Sequence, residues 1–180
     1  MILVGGLITA GAFVLWLGAA NPPREATVFW QSDDLTSLPE IPSNDNFTLE
    51  VTAILPDEQL AEWGIWLDNG NGIWTLVAIN GGQYVTARIC PTDYSGELDE
   101  CMPFTEPNQG ILTYWKAFHH IQPGGKANTI RLHYTGVLLE LRLNNEWMWD
   151  IPFEALSEHL QWGLWTGDSP PQWEQGIIWN

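Results

Sequence analysis

The sequence predicts an all-β sandwich preceded by one hydrophobic N-terminal helix. Two observations support that fold class. From Phe47 to Trp179, short runs of alternating apolar and polar residues are separated by turn residues about every eight to twelve positions. Ahead of them, residues 2–20 contain no charged side chain. Residues 151–160 could form one short helix, and no other sustained helical period follows the N-terminal segment.

The N-terminal segment "ILVGGLITAGAFVLWLGAA" is long enough to cross a bilayer. At about 1.5 Å per residue it spans roughly 28 Å as a helix. A cleaved signal peptide is the alternative, and Gly18 and Ala20 could supply its cleavage site. Because no Lys or Arg precedes the apolar run, we favour a retained single-pass anchor over residues 1–20 that contacts the lipid bilayer.

Small residues recur at a spacing of four within this predicted helix. Gly5 and Thr9 form one such pair, and Gly6 and Ala10 form the other. This pattern lets a second helix approach closely, although glycine is also common in membrane helices for other reasons. It predicts other membrane-protein subunits as partners.

Cys90 and Cys101 flank the polar segment "PTDYSGELDE". Two cysteines without a CxxC motif argue against a zinc site or a thioredoxin-type site. We expect a disulfide, with two free buried thiols as the alternative. A disulfide would place the globular part on the extracytoplasmic side of the cell membrane.

Residues 21–45 are rich in Pro, Ser and Asp and are interpreted as a tether that contains one short strand, Val28–Gln31. The sandwich is expected over residues 46–180. Its strand-like runs are 46–54, 63–69, 73–80, 83–90, 111–121, 128–134, 137–143, 146–151, 160–167 and 174–179. Turns are expected at 69–72, at 80–82 with positive φ, at 135–136 and at Asn144–Asn145.

The order of "NFTLEV", "WGIWLDNGNGIWTLVAINGGQYVTARI", "NTIRLHYTGVLLELRLNNEWMWDI", "QWGLWTG" and "GIIW" resembles the concanavalin A-like lectin/glucanase superfamily. It is most similar to the laminin-G-like members. The resemblance covers about residues 46–180 and implies a jelly roll of two antiparallel sheets, one of them concave. It also implies a surface-displayed carbohydrate-binding module as one function.

Glycosidases of this superfamily carry Glu-x-Asp-x-Glu on their active strand. The segment "GELDE" places Glu97, Asp99 and Glu100 differently, with the third carboxylate one residue early. On a strand that carboxylate would point to the opposite face, and the segment lies in a loop. Catalysis by two carboxylates needs a fixed separation. We therefore expect no enzymatic activity, with glycoside hydrolysis as the least favoured alternative.

The segment "LDNGNG" offers Asp68, Asn69 and Asn71 as weak candidate calcium ligands. It departs from the EF-hand spacing, and a Gly/Asn hairpin turn is the favoured interpretation. His119 and His120 are adjacent and would face opposite ways on a strand. No metal or other cofactor is therefore expected, apart from this Ca²⁺ candidate.

The chain contains 12 tryptophans, more than one core is expected to bury. Trp147 and Trp149 are expected to share one strand face, where they could stack on sugar rings. The alternative is that Trp147 continues the apolar stripe of Leu139, Leu141 and Leu143 into the core, and this alternative is favoured. Trp147, Trp149 and Trp165 are the candidate carbohydrate or partner surface.

The net charge is −16, from 22 acidic and 6 basic residues. Such a chain repels phosphate backbones, which excludes nucleic acid as a partner. The leading functional hypothesis is a non-catalytic, membrane-anchored accessory or scaffolding subunit of a larger membrane complex. A carbohydrate-binding module is the second.

Overall fold

The computed structural model describes residues 26–31, 38, 40–42, 46–91, 101–106, 110–111 and 115–179. The predicted anchor with its small-residue face, and the loop carboxylates Glu97, Asp99 and Glu100, lie outside those residues. Within the described part, no helix is long and apolar enough to span a membrane.

The described residues form sixteen strands and no helix. The strands are β1 (Ala26–Gln31), β2 (Ile41–Pro42), β3 (Thr48–Ile54), β4 (Glu62–Asp68), β5 (Trp74–Asn80), β6 (Tyr84–Cys90), β7 (Met102–Pro103), β8 (Thr105–Glu106), β9 (Gly110–Ile111), β10 (Lys116–Ala117), β11 (Ala127–Tyr134), β12 (Leu138–Leu143), β13 (Glu146–Pro152), β14 (His159–Leu160), β15 (Trp162–Thr166) and β16 (Gln172–Trp179).

Two antiparallel sheets make up the sandwich. Sheet I has the order β1-β16-β3-β11-β12-β13, and sheet II has the order β10-β6-β5-β4-β15 with β7 paired to β6. The short pairs β14–β2 and β8–β9 stand apart from both sheets. The predicted all-β sandwich is confirmed, and the predicted strand near Val28 is β1, which pairs with the C-terminal strand β16.

The core lies between the inward faces of the two sheets. On β3, Leu49, Val51 and Ala53 are fully buried, as the alternation in the sequence predicts. Trp63 of β4 is also fully buried and meets Trp173 of β16 edge-on, with ring centroids 5.5 Å apart. The period of two therefore places one face of each long strand in the core and leaves the other for a separate role.

The turns follow the predicted chemistry with one exception. Asn144 and Asn145 both have positive φ, 52° and 73°, as the tight turn between β12 and β13 requires. In the turn after β5, however, the positive φ falls on Gln83 rather than on the preceding glycines. The reason is that the Asn80 Oδ1 accepts hydrogen bonds from the backbone N–H groups of Gly82 and Tyr84, at 3.1 Å each.

Two secondary-structure expectations were wrong. Residues 151–160 form no helix, because backbone N–H groups in this segment bond to distant chain: Phe153 to the Val137 carbonyl at 3.1 Å, and Leu156 to the Asn69 carbonyl at 2.7 Å. Residues 111–121 are not one strand. Among the described residues of this segment, only Ile111 of β9 and the two residues of β10 belong to strands. The Ile121 N–H donates to the Phe118 carbonyl and closes a turn.

Candidate functional site

The outward face of sheet I carries two neighbouring rows of polar side chains that cross five strands. The strand register defines both rows. The first consists of Trp179, Thr48, His133, Glu140 and Asp150. The second consists of Ile177, Glu50, Arg131, Arg142 and Trp147.

A cavity of about 390 Å³ lies over these rows. We call it the polar groove, and its lining residues are Thr48, Arg131, His133, Glu140, Arg142 and Trp179. These side chains are partly exposed, so the groove is open to solvent.

Each arginine of the groove is paired with a glutamate. The Arg131 Nε donates to the Glu50 Oε2 at 2.6 Å, across the β11–β3 pair. The Arg142 Nε donates to the Glu140 Oε1 at 2.5 Å, along β12, and its Nη1 donates to the Asn145 carbonyl at 3.2 Å. The pairs hold both guanidinium groups in fixed orientations and leave the floor with no excess charge from these four groups.

His133 adds a hydrogen-bonded pair with Thr48 between the two ion pairs and Trp179. Its Nδ1 lies 2.9 Å from the Thr48 Oγ1. The floor thus presents both donors and acceptors, which suits a ligand rich in hydroxyl groups.

Trp147 lies at the end of the second row, on β13. A register shift between Leu141 and Arg142 places Trp147 opposite Arg142 and Trp149 opposite Leu141. Trp147 is 54% exposed, and its Nε1 donates to the Asp150 Oδ1 at 3.1 Å.

Trp149, by contrast, is 2% exposed and lies in the core. The expectation that Trp147 and Trp149 share a face was therefore wrong. So was the favoured interpretation that Trp147 continues the apolar stripe of β12. The irregularity inserts one residue into the alternation, which reverses the face of every later side chain on the strand.

The middle of the outward face of sheet II is packed around a disulfide. Cys90 and Cys101 form a disulfide there, with Cα atoms 4.2 Å apart, as predicted. The disulfide and Leu76 make a small buried cluster, and Trp66, Trp74 and Trp165 pack against it. The rings of Trp66 and Trp74 stack with centroids 4.7 Å apart. Trp165, a predicted surface residue, is therefore part of this packed cluster.

Polar groups on the same face of sheet II are also enclosed. Arg88 is 2% exposed, and its Nε donates to the Thr86 Oγ1 at 3.1 Å. Burial raises the pKa of Glu62 on β4, while Arg88 opposes that shift and Asp168 adds to it. Leu76 and Ala78 of β5 are buried on this face as well, which leaves little room for a ligand over the middle of the sheet.

The candidate calcium residues occupy the turn between β4 and β5. The Asp68 Oδ1 accepts from the backbone N–H groups of Gly70 and Gly72, at 2.9 and 3.1 Å. The Asn69 Oδ1 accepts from the Asn71 N–H at 2.9 Å. These oxygens cap the turn, and within the described residues no group of three His, Cys, Asp or Glu side chains could hold a metal ion. Calcium binding stays a prediction.

The polar groove is absent from the sequence-based predictions, which rest on the apolar members of each run. Arg131 and His133 alternate with core residues on β11, and Glu140 and Arg142 do the same on β12. That alternation of charged side chains on two adjacent strands was the available signal. The segments "RLH" (131–133) and "ELR" (140–142) place their four polar side chains on one face of the sheet.

The two antiparallel sheets define a β-sandwich. No family model matches the chain, and no curated protein matches it by sequence. Solved structures do match the fold. The galectin LEC-6 of Caenorhabditis elegans superposes with a TM-score of 0.54 at 11% identity, covering 84% of this chain and 95% of that one.

Two further solved structures give the same result. A variant of human galectin-16 has a TM-score of 0.54 at 9% identity, covering 84% of this chain and 99% of that chain. The carbohydrate recognition domain of Emp46p has a TM-score of 0.51 at 15% identity, covering 78% and 74%. At these identities the likeness shows the fold alone, and it confirms the predicted jelly roll.

Proposed function

We propose that this protein is a non-catalytic carbohydrate-binding β-sandwich whose site is the polar groove on sheet I. The arrangement that carries the proposal is the pair of oriented guanidinium–carboxylate groups, Arg131–Glu50 and Arg142–Glu140, beside His133. Sugar hydroxyl groups both donate and accept hydrogen bonds, and this floor offers partners of both kinds. The likeness to lectin folds supports the same function.

The groove is a better candidate than the opposite sheet because it is open. On sheet II, Trp66, Trp74 and Trp165 pack against the disulfide cluster and offer apolar rings in place of the paired charges of the groove. Binding on sheet I requires only that water leave a preformed floor whose arginines are already fixed by their glutamates, which lowers the entropic cost of binding.

The membrane-anchored accessory subunit remains an alternative that stays a prediction. It depends on residues 1–20 and on the helix face of Gly5, Gly6, Thr9 and Ala10, which lie outside the described residues. An anchor there would display the groove at the extracytoplasmic surface of the cell membrane, so the two functions are compatible. The disulfide is consistent with that location.

The test is a glycan array followed by titration calorimetry with the best glycan. Arg131→Ala should weaken binding by about ten- to a hundredfold, because charge-assisted hydrogen bonds contribute roughly 1.5–3 kcal/mol each. Lys126→Ala removes the same charge from an exposed position away from the groove and should leave affinity unchanged. Circular dichroism of each variant confirms folding. If no glycan binds, or Arg131→Ala binds like the parent, the groove is not a sugar site.

A further inference from the structure

The exposed ring of Trp147 lies beyond the groove and is not part of its lining. It shares the second row with Arg131 and Arg142, however, and directly opposes Arg142 in the register. The register irregularity on β13 is what turns it outward. Such irregularities commonly re-aim one side chain toward a functional surface.

The Trp147 ring is held in place rather than left to rotate. Its Nε1 hydrogen bond to the Asp150 Oδ1 fixes the ring over β13, with Asp150 at the end of the first row. A tryptophan fixed in this way presents an apolar face at little entropic cost on binding. The apolar C–H face of a sugar ring fits such a surface.

A second tryptophan, Trp179, lines the other end of the groove on β16. Four inter-strand steps of about 4.8 Å separate β16 from β13, so the two strands that carry these rings are roughly 19 Å apart across the sheet. This distance exceeds the length of one sugar ring. A ligand that touched both tryptophans would be an oligosaccharide lying across the strands.

The charges between the two rings favour an uncharged ligand. Arg131 and Arg142 are balanced by Glu50 and Glu140, and Asp150 adds a further carboxylate beside Trp147. A uronate or sulfated sugar would meet these carboxylates as well as the overall charge of −16. The site lacks the excess of cations that an anionic glycan needs for binding.

From these observations we propose that the groove binds an uncharged oligosaccharide laid across the strands, with Trp147 as an outer subsite that a monosaccharide does not reach. This inference rests on the proposed function and adds to it the ligand's charge, length and direction.

The experiment measures affinity against ligand length. The full chain, in a detergent without a sugar headgroup, is titrated with neutral gluco-, manno-, galacto- and xylo-oligosaccharides from monosaccharide to hexasaccharide. Oligogalacturonides of the same lengths are the anionic series. Affinity should rise with length in a neutral series. At each length, the affinity for the oligogalacturonide should be lower than for the neutral oligosaccharide.

Trp147→Ala should lower affinity for the hexasaccharide about tenfold and leave the monosaccharide affinity unchanged. Arg131→Ala should weaken binding at every length. Tyr84→Ala, which removes a 42% exposed aromatic ring from β6 of sheet II, is the matched control and should change neither affinity.

Each outcome separates the two proposals. Equal affinity for monosaccharide and hexasaccharide, an equal loss at all lengths in Trp147→Ala, or a preference for oligogalacturonides would overturn this inference and leave sugar binding intact. Failure of every series to bind would overturn both proposals.

Discussion

The outward faces of the two sheets have opposite characters. Sheet I presents paired charges and the partly exposed Trp179 to an open groove, with the exposed Trp147 beyond its end. Sheet II presents a buried disulfide, stacked tryptophan rings and an enclosed arginine, Arg88. Both faces arise from the same alternating pattern. The comparison shows that an outward face is available for binding only where no other part of the chain packs on it.

The two faces should also contribute differently to stability. Burial of apolar area stabilises a fold by about 25 cal/mol per Å², and sheet II buries its inward face and the disulfide cluster on its outward face. Ion pairs that remain partly exposed, such as Arg131–Glu50, contribute roughly 0–1 kcal/mol. Substitutions on sheet II should therefore change the free energy of unfolding, and substitutions in the groove should change ligand affinity.

The largest expected effect comes from the disulfide. The double variant Cys90→Ala/Cys101→Ala should lower the free energy of unfolding by about 3 kcal/mol, because the bridge closes a short loop in the unfolded chain. Urea denaturation measures this loss. Glycan affinity of the folded fraction should not change.

The matched control on sheet I is the double variant Glu50→Gln/Arg131→Gln. It removes a pair from the open face and should cost at most about 1 kcal/mol in unfolding free energy. Equal losses for the two double variants would show that the two faces do not differ in this way.

A smaller effect is expected from Gly163→Ala on β15. A Cβ built there would lie 2.3 Å from the Trp66 Cζ2, so the ring must move away from its stack with Trp74. Overpacking of this kind costs roughly 1–3 kcal/mol, which thermal denaturation would show. Gly167→Ala meets its nearest atom, the Glu62 Cβ, at 3.3 Å and should cost less. A Gly163→Ala variant as stable as Gly167→Ala would contradict close packing on this face.

The smallest effect concerns Glu62, whose folded-state pKa is raised chiefly by burial. At pH values below the ordinary carboxyl pKa, Glu62 holds its proton in both the folded and the unfolded chain. Its titration then does not change the free energy of unfolding. As pH rises, the unfolded chain releases its proton first, so stability falls until pH passes the folded-state pKa. Glu62→Gln should therefore stabilise the protein near pH 7 and not at acidic pH.

The gain should be less than about 1 kcal/mol, since Glu62 is only half-buried and solvent screens its charge. Urea denaturation at both pH values measures it. Glu146→Gln, at an exposed position on β13, is the charge-matched control. A gain of equal size at both pH values would show that titration of Glu62 is not its cause.

Local pattern was sufficient wherever neighbouring residues settle the structure. The alternation of β3 predicted which side chains are buried, and Asn144–Asn145 predicted a turn, in which both asparagines have positive φ. The spacing of Cys90 and Cys101 predicted a loop that a disulfide could close. In each case the physical preference belongs to a few adjacent residues, such as the tolerance of asparagine for positive φ.

The failures came from places where distant chain decides the outcome. A single irregularity on β13 reversed Trp147 relative to the stripe of β12, and no local signal marks the position of such an irregularity. Residues 151–160 form no helix, because backbone N–H groups in this segment donate to the carbonyls of Val137 and Asn69. The groove itself needed the register of three strand pairings before Trp179, His133 and Arg142 could be placed on one surface.

By itself, the sequence determined that this chain makes a two-sheet β-sandwich with a closed disulfide loop, because strand period and turn chemistry are local properties. Only the tertiary structure decided which outward face is open and which tryptophan faces solvent. Those outcomes depend on register and on what packs over each sheet, and both are set by contacts between residues far apart in the chain.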